Sequence, residues 1–400
     1  DAFTGCTNLK EIHFTAVFPF KDSFTIQTNE RTHIIVPDAY LSTYDNTWTD
    51  KSELIIGESH SHIPFQCPVT KDICVSNWDT DKDGELSYNE AAQVTSIGNV
   101  FKATAITSFD ELRYFTNLTS IGTNAFDGCS NLASITIPGS VTIIGSNNTS
   151  TSSNVFRNCT SLKEVVFLDS DKTLYLGCDT YSSSSSSTGS GMFKNCPLET
   201  IYVGRNLDYK SDKSFGYSPF YSVQTLKSVT LCDKDTNIRD YAFKGCSSLS
   251  NINIPEGVTS IGREAFYDCS NLASINIPEG VTSIEGSVFN GCSNLASINI
   301  PEGVTSIGTY AFYGCSNLAS INIPEGVTSI GGSAFSGCSN LASINIPEGV
   351  TSIGTYAFYG CSNLASINIP EGVTSIGGSA FSGCSNLASI NIPEGVTSIG

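Results

Sequence analysis

Cys246, Cys269, Cys292, Cys315, Cys338, Cys361 and Cys384 recur at a fixed interval of 23 residues. No other feature of the chain limits its fold as sharply. Around each cysteine runs the phrase L-x-x-I-x-I-P-E-G-V-x-x-I-G-x-x-A-F-x-x-C-x-x, and Gly308–Ile353 returns letter for letter as Gly354–Ile399. A unit this short cannot bury its apolar face alone. It must stack on copies of itself, each coil covering the next. Repetition of this kind builds length and surface, and is not in itself a sign of chemistry.

Within a unit, Ile275 and Ile277 alternate with Asn276 in the period-2 pattern of a strand. Pro278-Glu279-Gly280 suits a type I turn with Pro at its second position and Gly at its fourth. Val281 and Ile284 then begin a second inward-facing segment, and Phe289 and Cys292 fill the far side. Leu and Ile at set offsets in a period in the twenties specify a leucine-rich-repeat solenoid. The expected fold class is a β-rich α/β solenoid, a right-handed coil of 23-residue units, with parallel strands ~4.8 Å apart.

The chain's totals agree with a folded binding or scaffold protein. Of its 400 residues 40% are hydrophobic and only 14% charged, which supplies a large core and excludes a disordered polyelectrolyte. A net charge of −18 argues against nucleic acid as a partner, because phosphate binding needs clustered Lys and Arg. It argues equally against an electrostatic hold on anionic lipid. No apolar run approaches the ~20 residues of a membrane span. Both ends fall in mid-unit, so the chain reads as a fragment, with any export signal or anchor outside it.

The element [A/V/M]-F-x-x-C occurs eleven times, beginning at Ala2, Ala125, Val155, Met192, Ala242, Ala265, Val288, Ala311, Ala334, Ala357 and Ala380. With the rest of the unit it closely resembles the BspA-type, or Treponema pallidum-type, leucine-rich repeat over most of the chain. That resemblance implies a cell-surface protein, since such repeats abound in surface proteins of Bacteroidetes and of some mucosal parasites. It implies an adhesin role, with an extracellular protein or glycan as partner. Function follows less tightly than fold, because solenoids of this kind serve many partners.

Fifteen cysteines invite a disulfide ladder. Stacked Cα atoms ~4.8 Å apart would permit one. Equivalent side chains in neighbouring coils point the same way, however, which keeps their sulfurs about one coil apart. Pro219–Val223 reads as the same element with Val in the cysteine slot, so the slot asks for a small apolar body. Buried free thiols are the expectation.

A different motif interrupts the repeats. Asp79–Glu90, "DTDKDGELSYNE", fits D-x-[DN]-x-[DN]-G-x5-E at each required position. Asp79, Asp81 and Asp83 would give carboxylates to Ca²⁺, Glu85 its main-chain carbonyl, Ser87 a water and Glu90 a bidentate carboxylate. Gly84 allows the sharp turn, and Leu86 would enter the core. "YNEAA" begins a helix, and similar loops accompany this repeat in Bacteroidetes proteins. A lone loop of this kind predicts a structural calcium site of modest affinity. The residues before it, 1–62, read as the end of a preceding solenoid, with "HIIVPDAYLSTY" a strand and a short helix capped by Asp38. Residues 63–93 form an EF-hand-like module. Residues 94–400 form a second solenoid, irregular over 94–240 and regular over 241–400. At its start "SFDELRYF" carries a capping box, Ser108 with Glu111, and reads as a helix burying Phe109, Leu112 and Phe115. The calcium module would stiffen the joint between the two stacks.

Three surface features could meet a partner. Glu256 to Glu394 places one acid per coil, either a solvated turn or a weak stripe for cations or a basic partner; neighbours ~5 Å apart repel by only about 0.8 kcal/mol in water. Asn253 to Asn391 runs up the outward side of the strand, either as a hydrogen-bonded stack, which is preferred, or as a binding ladder. The third is a corner of the coil. The interval Cys129 to Cys159 is 30 and Cys159 to Cys196 is 37, and the first excess and most of the second fall between I-G and A-F. That corner carries Tyr181, Tyr217, Tyr310 and Tyr356, the candidate partner-binding residues, and insertions on one face often mark a binding face. The Ser182–Ser187 run there also reads simply as a flexible loop.

No catalytic constellation is present. His13, His33, His60 and His62 all precede the long solenoid, His60-Ser61-His62 lacks a third metal ligand, and no nucleophile elbow, phosphate loop or H-E-x-x-H occurs. The expectation is a monomeric, non-enzymatic adhesion protein outside the cell. The alternative is a passive spacer or stalk that displays other domains; identical units favour it, since they add length without a unique site.

Overall fold

The computed structural model of the chain describes residues 62–146, 153–177, 192–209, 218–234 and 236–400, together with the backbone of three early strands. Two compact units result. One comprises Asp1–Thr95 with Glu111–Leu118, the other Ser96–Asp110 with Thr119–Gly400.

In the first unit, β1 (Glu11–His13), β2 (His33–Val36) and β3 (Ile55–Gly57) form a parallel three-stranded sheet in that order. Ile12 aligns with Ile34, and Ile35 with Ile56. The helix expected after Asp38 lies outside the described residues. Helix α1 (Pro68–Trp78) opens with Pro at its first position, where a missing N–H costs nothing. Helix α2 (Tyr88–Gln93) opens on a complete capping box between Ser87 and Glu90. The loop between the helices is fastened to the preceding chain: Ile63 N donates to Leu86 O at 2.8 Å, and His62 bridges Ser87. Leu86 is fully buried, as its place in the loop motif led one to expect. Trp78 packs edge-on against Phe115 at 5.5 Å, and Tyr88 against Tyr114 at 4.7 Å. The stretch read as a capped helix is instead a 3-10 turn, Asp110–Tyr114. Glu111 is buried, and its Oε1 accepts from the Gln66 amide at 2.8 Å.

The second unit is a stack of coils, most of them carrying two short strands. Ser134–Ile137, Glu164–Phe167, Thr200–Val203, Ser228–Leu231 and Asn251–Asn253 make one parallel sheet. Ile135, Val165, Ile201, Val229 and Ile252 lie side by side across it. Further along, Ser343–Asn345 aligns residue for residue with Ser366–Asn368. A second row of strands includes Ser306–Ile307, Ser329–Ile330 and Ser352–Ile353, again parallel. The longer strands alternate exposed and buried residues, and each Ser-Ile-Asn strand turns only its Ile inward.

The far side of the coil is an aromatic stack. From Phe101 through Phe126, Phe156 and Phe193 to Phe381, neighbouring rings lie 5.3–5.9 Å apart and within 23° of parallel. One ring per coil makes a continuous apolar spine, and each ring closes the face the previous one leaves open. The Gly of I-G marks where coil backbones touch: a Cβ on Gly354 would sit 2.5 Å from Gly332 N. In the irregular coils a fully buried Arg205 donates to Val141 O and Pro138 O, both at 2.6 Å. Burial lowers its pKa only to about 10, so it stays charged while satisfying main-chain carbonyls.

Two local expectations are corrected. The Pro-Glu-Gly turn closes through Val281 N to Pro278 O at 3.1 Å, so Pro holds the first position and not the second. The hydrogen-bonded asparagines belong to another row, with Asn294 Nδ2 on Asn271 Oδ1 and Asn317 Nδ2 on Asn294 Oδ1, both 3.4 Å. Asn276 and Asn299, on the strand, are exposed.

The thirteen described cysteines are all free. Their packing adds something that a Val-for-Cys comparison hides. Each regular thiol from Cys246 to Cys384 donates to the carbonyl of a Phe 26 residues earlier, at 3.1–3.2 Å. The slot therefore takes a small apolar body with a weak donor.

Candidate functional site

Two places in the described residues carry more than packing requires. The first is the loop 79–90. Asp79, Asp81 and Asp83 each offer a carboxylate oxygen within 4.8 Å of the others. The loop's own amides hold them there. Lys82 N and Gly84 N donate to Asp79 at 2.6 and 3.0 Å, Asp83 N to Asp81 at 3.1 Å, and Glu85 N to Asp83 at 2.8 Å. Gly84 has φ +86 with open space where a Cβ would stand, so backbone conformation and not crowding calls for glycine.

The remaining loop residues are occupied in other ways. The Glu85 carboxylate pairs with Lys71 at 2.5 Å, and its main-chain carbonyl is the group expected at an ion. Ser87 is the buried N-cap of α2. Glu90 Oε1 accepts from Thr80 N at 2.6 Å and Thr80 Oγ1 at 2.8 Å, while Oε2 accepts from Ser87 N and Oγ at 2.9 Å. Burial pushes the Glu90 pKa up, but these hydrogen bonds outweigh it and hold the carboxyl at about 2. A bidentate grip on an ion would require Oε1 to leave Thr80. His62 Nε2 lies 2.9 Å from Asp83 Oδ2, and His60 lies outside the described residues. Three fixed carboxylates on a tight, glycine-turned loop are a donor set that suits a hard cation.

The second place is the corner before A-F in the regular coils. Tyr310 and Tyr356 stand there 44% and 47% exposed. Each forms an edge-on pair with the residue after the spine phenylalanine, Tyr313 at 5.6 Å and Tyr359 at 5.7 Å. The coil between carries Ser333 and Ser336 at the same two positions, and both are more than nine-tenths buried. With Tyr267, Asn290 and Ser379 these residues line one open groove of about 580 Å³. At one end Lys244 Nζ lies 4.4 Å over the Tyr267 ring and pairs with Glu264.

The backbone at this corner is unusual. Tyr310, Ser333, Tyr356 and Ser379 have φ of 59, 53, 56 and 55°. This left-handed region favours glycine and disfavours bulky side chains. Tyrosines held there half-exposed do not serve the core. Tyr181 and Tyr217 lie outside the described residues, as does the Ser182–Ser187 run. Tyr313, Tyr359 and Tyr267 escaped sequence reasoning. Their signal was available, because A-F-Y-G-C and A-F-S-G-C alternate in step with T-Y and G-S three residues earlier.

A family description, "BspA type Leucine rich repeat region", matches residues 92–219, 213–318 and 305–400. No curated protein matches the chain. Among solved structures, the chain is similar to a leucine rich cell surface protein from Faecalibacterium prausnitzii A2-165. Their identity is 32%, over 68% of this chain and 83% of that one, with a TM-score of 0.38. It is also similar to a leucine-rich repeat protein from Bacteroides ovatus ATCC 8483, at 27% identity over 78% of this chain and 85% of that one, with a TM-score of 0.46. The Treponema pallidum leucine rich repeat protein is 24% identical over 57% of this chain and 84% of that one, with a TM-score of 0.35.

Proposed function

Because the chain belongs to the BspA-type leucine-rich-repeat family, we propose that it is a binding protein of the cell surface or extracellular space. It would hold a protein or glycan ligand and catalyse nothing. The observation that carries this proposal is the row of exposed tyrosine pairs, one member of each on left-handed backbone. Packing does not need them, and the sister coils fold with serine in their place. The family's abundance among surface proteins supports the location. No helix among the described residues is long and apolar enough to cross a membrane.

The loop 79–90 is proposed as a structural Ca²⁺ site. Asp79, Asp81, Asp83 and Glu90 would hold the ion through carboxylates, Glu85 through its carbonyl and Ser87 through a water. Bound calcium would supply charge to lock the loop between α1 and α2. In the second unit the 23-residue coil would act as a repeating display frame.

A spacer role has its own support in the letter-for-letter copy of Gly308–Ile353. The two roles separate in one experiment. The purified chain is tested for saturable binding to matrix proteins, mucins and glycans, with calcium and with chelator. Saturable binding to any member supports the binding role, and a fall with chelator alone gives the calcium loop a part in presentation. No binding to any member in either condition leaves the spacer.

A further inference from the structure

We propose that the tyrosine–serine groove of the regular coils is a subsite for a neutral, pyranose-containing glycan, with sugar rings seated between tyrosine pairs. The proposal rests on the binding role above and narrows its ligand.

The groove's chemistry selects its occupant. Tyr267, Asn290, Tyr310, Tyr313, Ser333 and Tyr359 are typical of its lining, and none of its lining residues is charged. That neutrality matches a ligand without charge. Its polar groups are Tyr and Ser hydroxyls and one carboxamide, each able both to donate and to accept. Sugar hydroxyls have the same double capacity.

The floor supplies two hydroxyls. Ser333 and Ser336 are 6% and 4% exposed, and each brings a hydroxyl that can donate and accept. Both line the groove.

Geometry sets the width. Coils stack ~4.8 Å apart, so tyrosine pairs two coils apart stand roughly 10 Å from each other. Allowing for ring thickness, the trough is about one sugar ring wide. The flat CH face of a pyranose suits an aromatic wall, and its hydroxyl edge would then reach Ser333 and Ser336.

A peptide strand is the poorer fit, because the floor has no main-chain groups to offer it. Tyr310 N donates to Gly332 O, Ser333 N to Thr355 O, and Gly314 N to Ser336 O. Strand addition needs such groups free. A proline-rich helix uses ring faces alone and is kept as the competing outcome.

The test is affinity electrophoresis of the full chain through gels holding hydroxyethyl cellulose, soluble starch or galactomannan, with poly-L-proline as the peptide probe. Variants are Tyr356→Ser/Tyr359→Ser and Tyr310→Ser/Tyr313→Ser, whose coils then carry the serines the chain already folds with. Ser333→Tyr fills the trough without removing a wall. The expected result is retardation by at least one neutral polysaccharide, weakened about tenfold or more in each variant. No retardation by any of the three overturns the proposal. So does retardation that the variants leave unchanged, or retardation by poly-L-proline alone. Saturable binding of a matrix protein with no polysaccharide response would sink the glycan groove and spare the binding role. Silence in both experiments removes both.

Discussion

The thiol of Cys338 donates to the main-chain carbonyl of Phe312, 3.2 Å away and 26 residues earlier in the chain. That carbonyl also accepts from Cys315 N at 3.2 Å. One acceptor thus serves its own coil's turn and the next coil's side chain, tying neighbours at the aromatic spine. Thiols held this way should be chemically silent. Burial raises the pKa of Cys246 and Cys361 to about 12 and lifts Cys269, Cys315 and Cys338 well above the ordinary value. At pH 8 a thiol of pKa 12 is thiolate about one part in ten thousand, and thiolate is the nucleophile. Labelling the native chain with iodoacetamide at pH 8, followed by peptide mapping, should leave Cys246 to Cys361 unmodified while the half-exposed Cys384 reacts. Uniform labelling of all seven at the rate seen in urea would disprove the packing.

The same thiols predict sensitivity to base. A folded pKa raised above the unfolded ~8.5 contributes stability that is complete below ~8.5 and is lost as pH climbs through the folded value. For Cys246 and Cys361 the window runs from ~8.5 to about 12. Urea midpoints should therefore be flat from pH 7 to 8.5 and fall steadily above it. Replacing Cys315 and Cys338 by Val, the residue already present at Val223, should shallow the fall. An unchanged slope in the double variant would assign the base sensitivity elsewhere.

Glycines of the coil divide into two kinds that sequence treats alike. A Cβ on Gly354 would lie 2.5 and 2.6 Å from backbone atoms of the preceding coil, whereas one on Gly349 meets nothing nearer than 3.3 Å. Backbone cannot rotate out of the way as a side chain can. Gly354→Ala should cost at least ~1–3 kcal/mol, and Gly349→Ala less than about 1 kcal/mol. Denaturant midpoints of the two variants measure the difference directly. Equal losses would mean that the coils are not in close contact at I-G.

Much of this fold was legible because a period of 23 leaves little freedom. The inward Ile275 and Ile277, the spine Phe289 and the buried Cys292 all follow from position within the unit, since each copy repeats the same burial. What depended on contact between coils was harder to read. The thiol-to-carbonyl bond of Cys338 joins residues 26 apart, a spacing with no local signature. The asparagine ladder formed at Asn271 and Asn294 and not at Asn276, although all three are exposed, so exposure read from the strand pattern could not choose the row. Length decided the fate of "SFDELRYF", where five ordered residues made a 3-10 turn. At the groove, Tyr310 and Tyr356 were singled out as exposed corner residues. Their partners Tyr313 and Tyr359 follow the spine Phe, where sequence alone does not say that the side chain emerges beside the corner.

The loop at Asp79 allows the sharpest test of the proposed calcium site. Trp78 directly precedes the first aspartate, so a lanthanide in the loop would be excited through the indole. Tb³⁺ added to the chain should give saturable emission on tryptophan excitation, displaced by Ca²⁺ and lost in Asp79→Ala and Asp83→Ala. Trp78→Phe should abolish the signal while leaving calcium-dependent stabilisation intact, which separates the antenna from the ligands. Calcium at a hundred times its dissociation constant stabilises whatever unfolds with the loop by about 2.7 kcal/mol. The hydrogen-exchange protection of α1 and α2 should rise accordingly and return with chelator. Glu90 adds a finer distinction. In Glu90→Gln the single carboxamide oxygen can still accept from Ser87 N and keep the capping box, but the amide nitrogen cannot accept from Thr80 and the side chain brings no charge to an ion, so α2 should persist while the affinity for Tb³⁺ falls. Emission indifferent to Asp79→Ala, or protection unaltered by calcium, would reduce the loop to an acidic turn closed by its own amides.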